Sequence, residues 1–256
     1  MAWAKVKLFY SNVLANMAAT TTAAGYAVVN LLDWKEGSWW QALNTTVPMY
    51  IYPTTGPGGG SALTAAYLLI YGHNLGTIGA TVTLQHSTTG AWAGEEVNIT
   101  THTPSNDKGF AKIFTSATKD YWRLKITGSL SAAPYMAICV WGELTELEYC
   151  TSSFDPYAET VKANVKTTQG GVVSGIHIKY SERQIKLTFS DADDTLYQKI
   201  KTLWEDHGLK NFGLGWETTE HPNDVFLMRR DEKFNNPFTK GGLYRNVTLN
   251  LKGRKE

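Results

Sequence analysis

Apolar and polar residues alternate in short runs through the first part of the chain. In Thr81–Gln85, Val82 and Leu84 share one face and the threonines take the other. In Tyr121–Ile126, Trp122, Leu124 and Ile126 share a face, and Tyr121, Arg123 and Lys125 share the opposite one. A period of two predicts half-buried strands. Tyr135–Trp141 is more uniformly apolar and predicts a central strand. Turn signals separate the runs at Thr55–Ser61, His73–Gly76, Ser87–Gly90 and Pro104–Gly109. Many short strands with few helix signals predict an antiparallel β-sandwich.

The pattern changes after Cys150. Thr151–Gly171, with Phe154 and Tyr157, is polar and irregular and reads as a linker or an assembly arm. Strands are expected at Ile176–Tyr180 and Ile185–Phe189. A helix is expected over 192–207, where Leu196, Ile200, Leu203 and Trp204 recur at helical spacing. Ser190 or Asp191 is its expected cap, Asp193 and Asp194 suit the positive end of its dipole, and Gly208 is its stop. Strands return at Phe212–Trp216, Val225–Arg229 and Val247–Leu251. This order predicts an α+β unit with one helix on a sheet. Charged residues are sparse before Thr151 and frequent from Glu159 onward. The expected division is therefore 1–150 for the sandwich, 151–172 for the arm and 173–256 for the α+β domain.

Composition narrows the function classes. The 256 residues are 43% hydrophobic with a formal net charge of +1. That is enough apolar material for a core, and it leaves no global basic footprint for sequence-specific nucleic-acid binding. Two cysteines, Cys139 and Cys150, are too few for a disulfide framework or a metal knuckle. Met1–Tyr10 has two lysines and no sustained apolar run, so no signal peptide is expected, and no segment has the length of a membrane helix.

Three segments resemble the galactose-binding-like (discoidin-like) jelly-roll sandwich: Asn30–Asp33 before a Trp-rich turn, Tyr67–Leu75 (YLLIYGHNL) and Tyr121–Gly128 (YWRLKITG). Their order and spacing, over roughly 30–146, carry the likeness. The second half resembles distal tail and baseplate hub proteins of bacteriophages, with a helix bearing an aromatic at Leu196–Trp204. A Phe/Trp strand at Phe212–Trp216, a strand ending in Arg at Val225–Arg230 and a closing Gly241–Leu251 complete the pattern. That likeness implies a tail-tube-like fold with its helix on a β-sandwich or barrel, assembly with itself into a ring, and contacts with tube, hub and fibre proteins. It implies a virion location at the tail tip or baseplate, after synthesis in a host cytoplasm.

Candidate chemistry is that of binding. Aromatic faces stack on sugar C–H surfaces, and amides or imidazoles bind hydroxyls. Trp34, Trp39, Trp40 and Trp92 are the candidate platforms, with Asn44, His73 and Asn74 as polar partners for a host-surface glycan. Each has a plainer reading, as a core aromatic or a strand-to-turn cap. Arg229, Arg230 and Lys233 form a candidate basic patch facing a tail lumen or an acidic neighbour; a solvated surface is the plain alternative. Calcium, held by Asp33 and loop carbonyls, is the one cofactor the pattern leaves open. The six histidines show no close metal-ligand spacing, so no transition-metal site is expected. Thr55–Ser61 lacks the lysine of a phosphate loop, and no GxSxG or HExxH occurs. Glu95 and Glu96 read as an exposed face without an acid partner. The expectation is a non-enzymatic structural protein with an accessory sandwich that touches glycan or neighbouring subunits. The alternative is a lectin-like carbohydrate-binding module of a non-viral or glycan-active protein.

Overall fold

The computed structural model describes residues 5–12, 14–151, 155–230, 233 and 235–255. Its strands run, in chain order, β1 (Lys7–Phe9), β2 (Met17–Ala19), β3 (Trp40–Gln41), β4 (Met49–Pro53), β5 (Gly59–His73), β6 (Ala80–Ser87), β7 (Val97–His102), β8 (Phe110–Gly128), β9 (Tyr135–Gly142) and β10 (Thr145–Glu146). There follow β11 (Glu159–Thr167), β12 (Val173–Ala192), helix α1 (Asp194–Thr202), β13 (Phe212–Gly215), β14 (Val225–Arg230), β15 (Phe238–Thr239) and β16 (Tyr244–Arg254). The molecule is mainly β, with a sandwich in its first half, as the alternation predicts.

The long strand β8 belongs to both layers of the sandwich. Its first part pairs with β5, which continues into β9 and β3. Its second part is flanked by β6 on one edge and β4 on the other, and these lead to β7 and β2. Trp122, Leu124 and Ile126 on β8 close onto Val82, Leu84, Met49 and Ile51, and meet Leu68, Ile70, Cys139 and Trp141 from the first layer. Tyr121, Arg123 and Lys125 take the outer side, which is the alternation read from the sequence.

β5 is apolar without a break from Tyr67 to Tyr71 because both its faces are covered. Leu68 and Ile70 enter the sandwich core. Tyr67, Leu69 and Tyr71 enter a second cluster with Ile138, Val140, Phe9, Val225 and Leu227. The last three belong to the other sheet, so this cluster joins the two halves. Gly213 lets them approach: a Cβ there would sit 3.0 Å from the Leu69 side chain and 3.1 Å from that of Phe9.

The second sheet runs β10-β1-β13-β14-β16-β12-β11, with β15 on β16. Its order departs from the expected boundary at residue 150. β1 pairs with β13, and Lys7 and Leu8 pair with Glu146 and Thr145 of β10. Residues 5–10 and those from about 144 onward therefore complete the second unit, because Val6, Leu8, Tyr10 and Leu147 supply part of its core. The helix packs Leu196 and Ile200 onto Leu187, Phe189, Val247 and Leu249. It starts later than expected, since β12 runs on to Ala192. The cap is Asp193, whose Oδ1 accepts from Leu196 N at 2.8 Å, while Asp191 instead pairs with Lys240. The last turn, Leu203–His207, is a π-turn, closed by Gly208 at φ +65°.

Within the expected arm at 151–172, residues 159–167 form strand β11. β11 pairs with the first half of β12 as a two-stranded hairpin, with only the turn at 168–172 between them. Phe154, assigned to that arm, lies outside the described residues. Tyr157 packs on the body instead, edge-on to Trp216 at 5.8 Å with its hydroxyl donating to Asp224.

Candidate functional site

An open depression of about 690 Å³ lies where the edge of the sandwich meets the second unit. Glu36, Trp39, Gln41, Gly72, Asp107, Tyr135 and Arg254 are among its lining. Its position follows from local sequence. Asp33 accepts from Lys35 N at 3.0 Å and from the Ser38 hydroxyl at 2.5 Å, which tightens the turn after the 3₁₀ segment Val28–Leu32. Asn30 Nδ2 donates to the Trp39 carbonyl at 3.0 Å. Alternation then sends Trp40 into the core and leaves Trp39 half-exposed. Trp39 lies against Tyr26, with ring centroids 5.3 Å apart, and faces Tyr135 at 6.4 Å. Gly72 and Ala137 form a floor of small residues. Charge stands on the rim: exposed Glu36, Asp107, and Arg254 from the end of β16. Asp107 accepts from Thr77 N at 2.9 Å, which fixes one side of the rim.

The expected contact residues do not converge. Trp39 lines the depression on its aromatic side. His73 is also in its wall but only 2% exposed, and both ring nitrogens are used. Its Nδ1 accepts from Leu75 N at 3.2 Å and its Nε2 donates to the Lys108 carbonyl at 2.9 Å. Burial holds its pKa below the ordinary value, so it is a neutral strand-end residue and not a hydroxyl partner. Asn74 donates to the Ala133 carbonyl at 3.0 Å and accepts from Tyr135 N at 2.9 Å, so it positions Tyr135. Trp34 is buried at φ +60°, edge-on to His207 at 4.9 Å in the joint between the halves. Trp40 is fully buried, its Nε1 donating to the Thr22 hydroxyl at 3.2 Å. Asn44 is exposed and closes its own turn by accepting from Thr46 N at 3.0 Å. These five are structural residues, because packing or a local turn takes up each side chain.

Trp92 lies on the outer face of the other layer. There the Arg123 guanidinium is held between Trp92, 4.0 Å from its ring centre, and Tyr50, at 4.2 Å. Arg123 Nε donates to Gln85 Oε1 at 2.8 Å. Glu95 shapes the loop that carries Trp92. Its carboxylate accepts from the Ser87 and Thr89 hydroxyls and from the Ala91 and Trp92 amides. The Ser87 hydroxyl, then that of Thr89, hold its pKa at about 2. A second cavity, of about 520 Å³, opens between the halves beside Tyr10, Trp34, Glu143, Asp206, His207 and Lys210.

The expected basic patch loses a member. Arg229 and Lys233 are exposed, but Arg230 turns inward. Its guanidinium lies 3.3 Å from the Trp204 ring centre and donates to the carbonyls of Gly208, at 2.5 Å, and Trp204, at 2.9 Å. It caps the end of the helix rather than facing a lumen. Among the described residues, no three or more His, Cys, Asp or Glu side chains gather as metal ligands. The Asp33 carboxylate, the calcium candidate, is engaged by its own turn.

Tyr135, Glu36, Gln41, Asp107 and Arg254 were not anticipated at the site. Tyr135 carries a sequence signal, as the first residue of the apolar run after Pro134. The rim charges come from distant turns and the last strand, and no local pattern marks them.

No family model matches the chain, and no curated protein matches it. Solved structures similar to about half of it include carbohydrate-binding modules. Chitosan-binding module 1 of a chitosanase/glucanase from Paenibacillus sp. IK-5 is 16% identical, with 52% of this chain and 99% of that one covered at a TM-score of 0.43. A CBM32 module from Clostridium perfringens, in complex with GalNAc-β-1,3-galactose, is 15% identical over 50% of this chain and 94% of that one, at 0.40. The CBM32 of AlyQ, in complex with 4,5-unsaturated mannuronic acid, is 16% identical over 52% and 96%, at 0.38.

Proposed function

We propose that this protein binds carbohydrate in the depression beside Trp39, and that its second unit is a structural mount for the sandwich. The observation that carries this reading is the combination of surfaces in one open site. A half-exposed indole, with Tyr135 across from it, offers flat apolar faces over a floor of Gly72 and Ala137. Such faces suit the C–H side of a sugar ring. Glu36, Gln41 and Arg254 around the rim supply acceptors and donors for hydroxyls. Trp39→Ala removes the platform, and about a tenfold or greater loss of glycan affinity is expected, which is about 1.4 kcal/mol. Glycan-array screening followed by calorimetry with the full chain tests this. Saturable binding to no glycan, or binding indifferent to Trp39→Ala, would refute it.

A second reading is favoured by a different observation. The β11–β12 hairpin leaves the body with apolar side chains uncovered, which suits a protein that assembles. A structural component of a phage tail tip or baseplate, with the sandwich as its accessory, is the setting this reading names. Labelling of purified virions with an antibody to the chain tests it; a tail tip without label counts against it.

A further inference from the structure

A smaller cavity, of about 180 Å³, adjoins the depression beside Trp39. Gly72 and Asp107 line the depression, and the residues next to them in the chain, Tyr71 and Lys108, line the cavity. Arg254, the last residue of β16, lines both. A ligand that lies across Trp39 and continues past Arg254 therefore enters the cavity.

The two ends of this path differ in charge. Glu36 stands in the depression, where Asp107 is already engaged by the Thr77 amide and hydroxyl. The cavity is lined by four cations, Lys108, Arg183, Arg254 and Lys255, and by one carboxylate, Asp224. The acids around it have partners of their own. Asp224 accepts from the Tyr157 hydroxyl and lies 3.6 Å from His221 Nδ1. Glu159 is shared by Lys255, at 2.8 Å, and Arg183, at 3.6 Å. Glu182, opposite Arg254 on β12, pairs with Lys162 at 3.6 Å. Arg183 is also held in place, 3.7 Å from the Phe226 ring centre and donating to the Pro156 carbonyl at 2.8 Å.

Lys108 and Arg254 are exposed, and among the described residues neither side chain has an ion-pair partner. Their backbones are fixed. The Lys108 amide donates to Asn106 Oδ1 at 2.9 Å, and its carbonyl accepts from His73 Nε2 at 2.9 Å. Arg254 is held in the β16 ladder opposite Glu182. Counting Asp224 and Glu159 against the four cations leaves an excess of two positive charges here, in a chain whose formal net charge is +1. A cleft of one sign concentrates ligands of the other.

We infer that the glycan bound beside Trp39 is acidic, with a sugar carboxylate or sulfate seated between Arg254 and Lys108 while a neighbouring ring lies on the indole. This inference rests on the carbohydrate reading above and names its ligand class. The Arg254 guanidinium can meet such an oxyanion with two parallel N–H donors, and the Lys108 ammonium adds a point charge.

The test is calorimetry on the full chain with two matched pairs of probes. One pair is oligogalacturonate and its methyl ester, and the other is a sulfated galactan oligosaccharide and its desulfated form. The wild type is expected to bind the acidic member of at least one pair about tenfold or more tighter than its neutral counterpart. The pair that shows the preference tells carboxylate from sulfate. The preference is expected to shrink as salt rises from about 0.02 M to about 0.5 M. Lys108→Gln/Arg254→Gln is expected to bring it to within about twofold, which is under about 0.5 kcal/mol. Lys166→Gln/Lys179→Gln, which removes the same charge from the exposed hairpin, is expected to keep it. All four positions are exposed, and circular dichroism checks that both variants stay folded. Acidic and neutral members bound equally, with both lost in Trp39→Ala, would overturn the acidic ligand and leave the Trp39 platform standing. A preference that survives Lys108→Gln/Arg254→Gln, or that the hairpin variant loses equally, would overturn the assignment to this cavity. Binding to none of the four probes would overturn the inference, whether or not a neutral glycan on the array is held by Trp39.

Discussion

His73, His102 and His207 are buried to different degrees, and burial is the main cause that lowers the pKa of each. For His102 the value falls to about 4, with Lys112 and His73 adding to the effect. The unfolded chain takes up protons on these rings near the ordinary value of about 6.5. Below that pH the unfolded state binds more protons than the folded one, so stability falls as the pH drops. The contribution of His102 is complete near pH 4. Urea midpoints are expected to decline between pH 7 and pH 4, and His102→Gln is expected to flatten part of the slope. A wild-type midpoint constant over this range would refute the assignment. The same scale shows what was legible around the candidate site. The adjacent Trp39 and Trp40 announce that one of them points outward. Tyr135, Asp107 and Arg254 join Trp39 only through tertiary pairing, which no spacing in the sequence encodes.

At the scale of elements, Arg230 links β14 to the end of the helical segment. Its guanidinium satisfies the Trp204 and Gly208 carbonyls. Arg230→Met keeps most of the stem but leaves those acceptors without this donor. A loss of about 2–3 kcal/mol is expected from such unpaired buried groups, measured by urea unfolding. A variant as stable as the parent would mean that solvent replaces the guanidinium. The helix itself was legible from Leu196, Ile200 and Leu203, whereas its start was misplaced because the strand runs three residues past Phe189, to Ala192. The β11 strand was missed for a related reason. Period-two reading looks for one buried face, and this hairpin buries neither, so Val161 and Val165 among lysines looked irregular. Gly170 and Gly171 were the available turn signal.

On the scale of the whole molecule, the cluster holding Phe9, Tyr67, Leu69, Val225 and Leu227 couples the halves. Phe9 is fully buried, its ring centroid 5.1 Å from that of Tyr67. Phe9→Ala is expected to cost about 3–5 kcal/mol. The wild type is expected to unfold in one transition by both tryptophan fluorescence and circular dichroism, and the variant to separate the two signals. A wild type that already unfolds in two steps would mean that the cluster does not couple the halves. The compositional shift near Cys150 was real, but it could not reveal that the opening strand crosses back into the other half.

That crossing has an engineering consequence. Leu8 and Thr145 are partners on neighbouring strands, and Leu147 N donates to the Val6 carbonyl at 2.9 Å. The chain thus leaves the second sheet and returns to it at almost the same place, so the whole sandwich is a cassette held at two adjacent points. Replacing residues 12–143 with a short glycine-containing turn converts β1 and β10 into an ordinary hairpin. Phe9, Val225 and Leu227 would then face water and need polar substitutes. With those in place the remainder is expected to fold cooperatively by itself, ready to accept a different binding module between the same two strands.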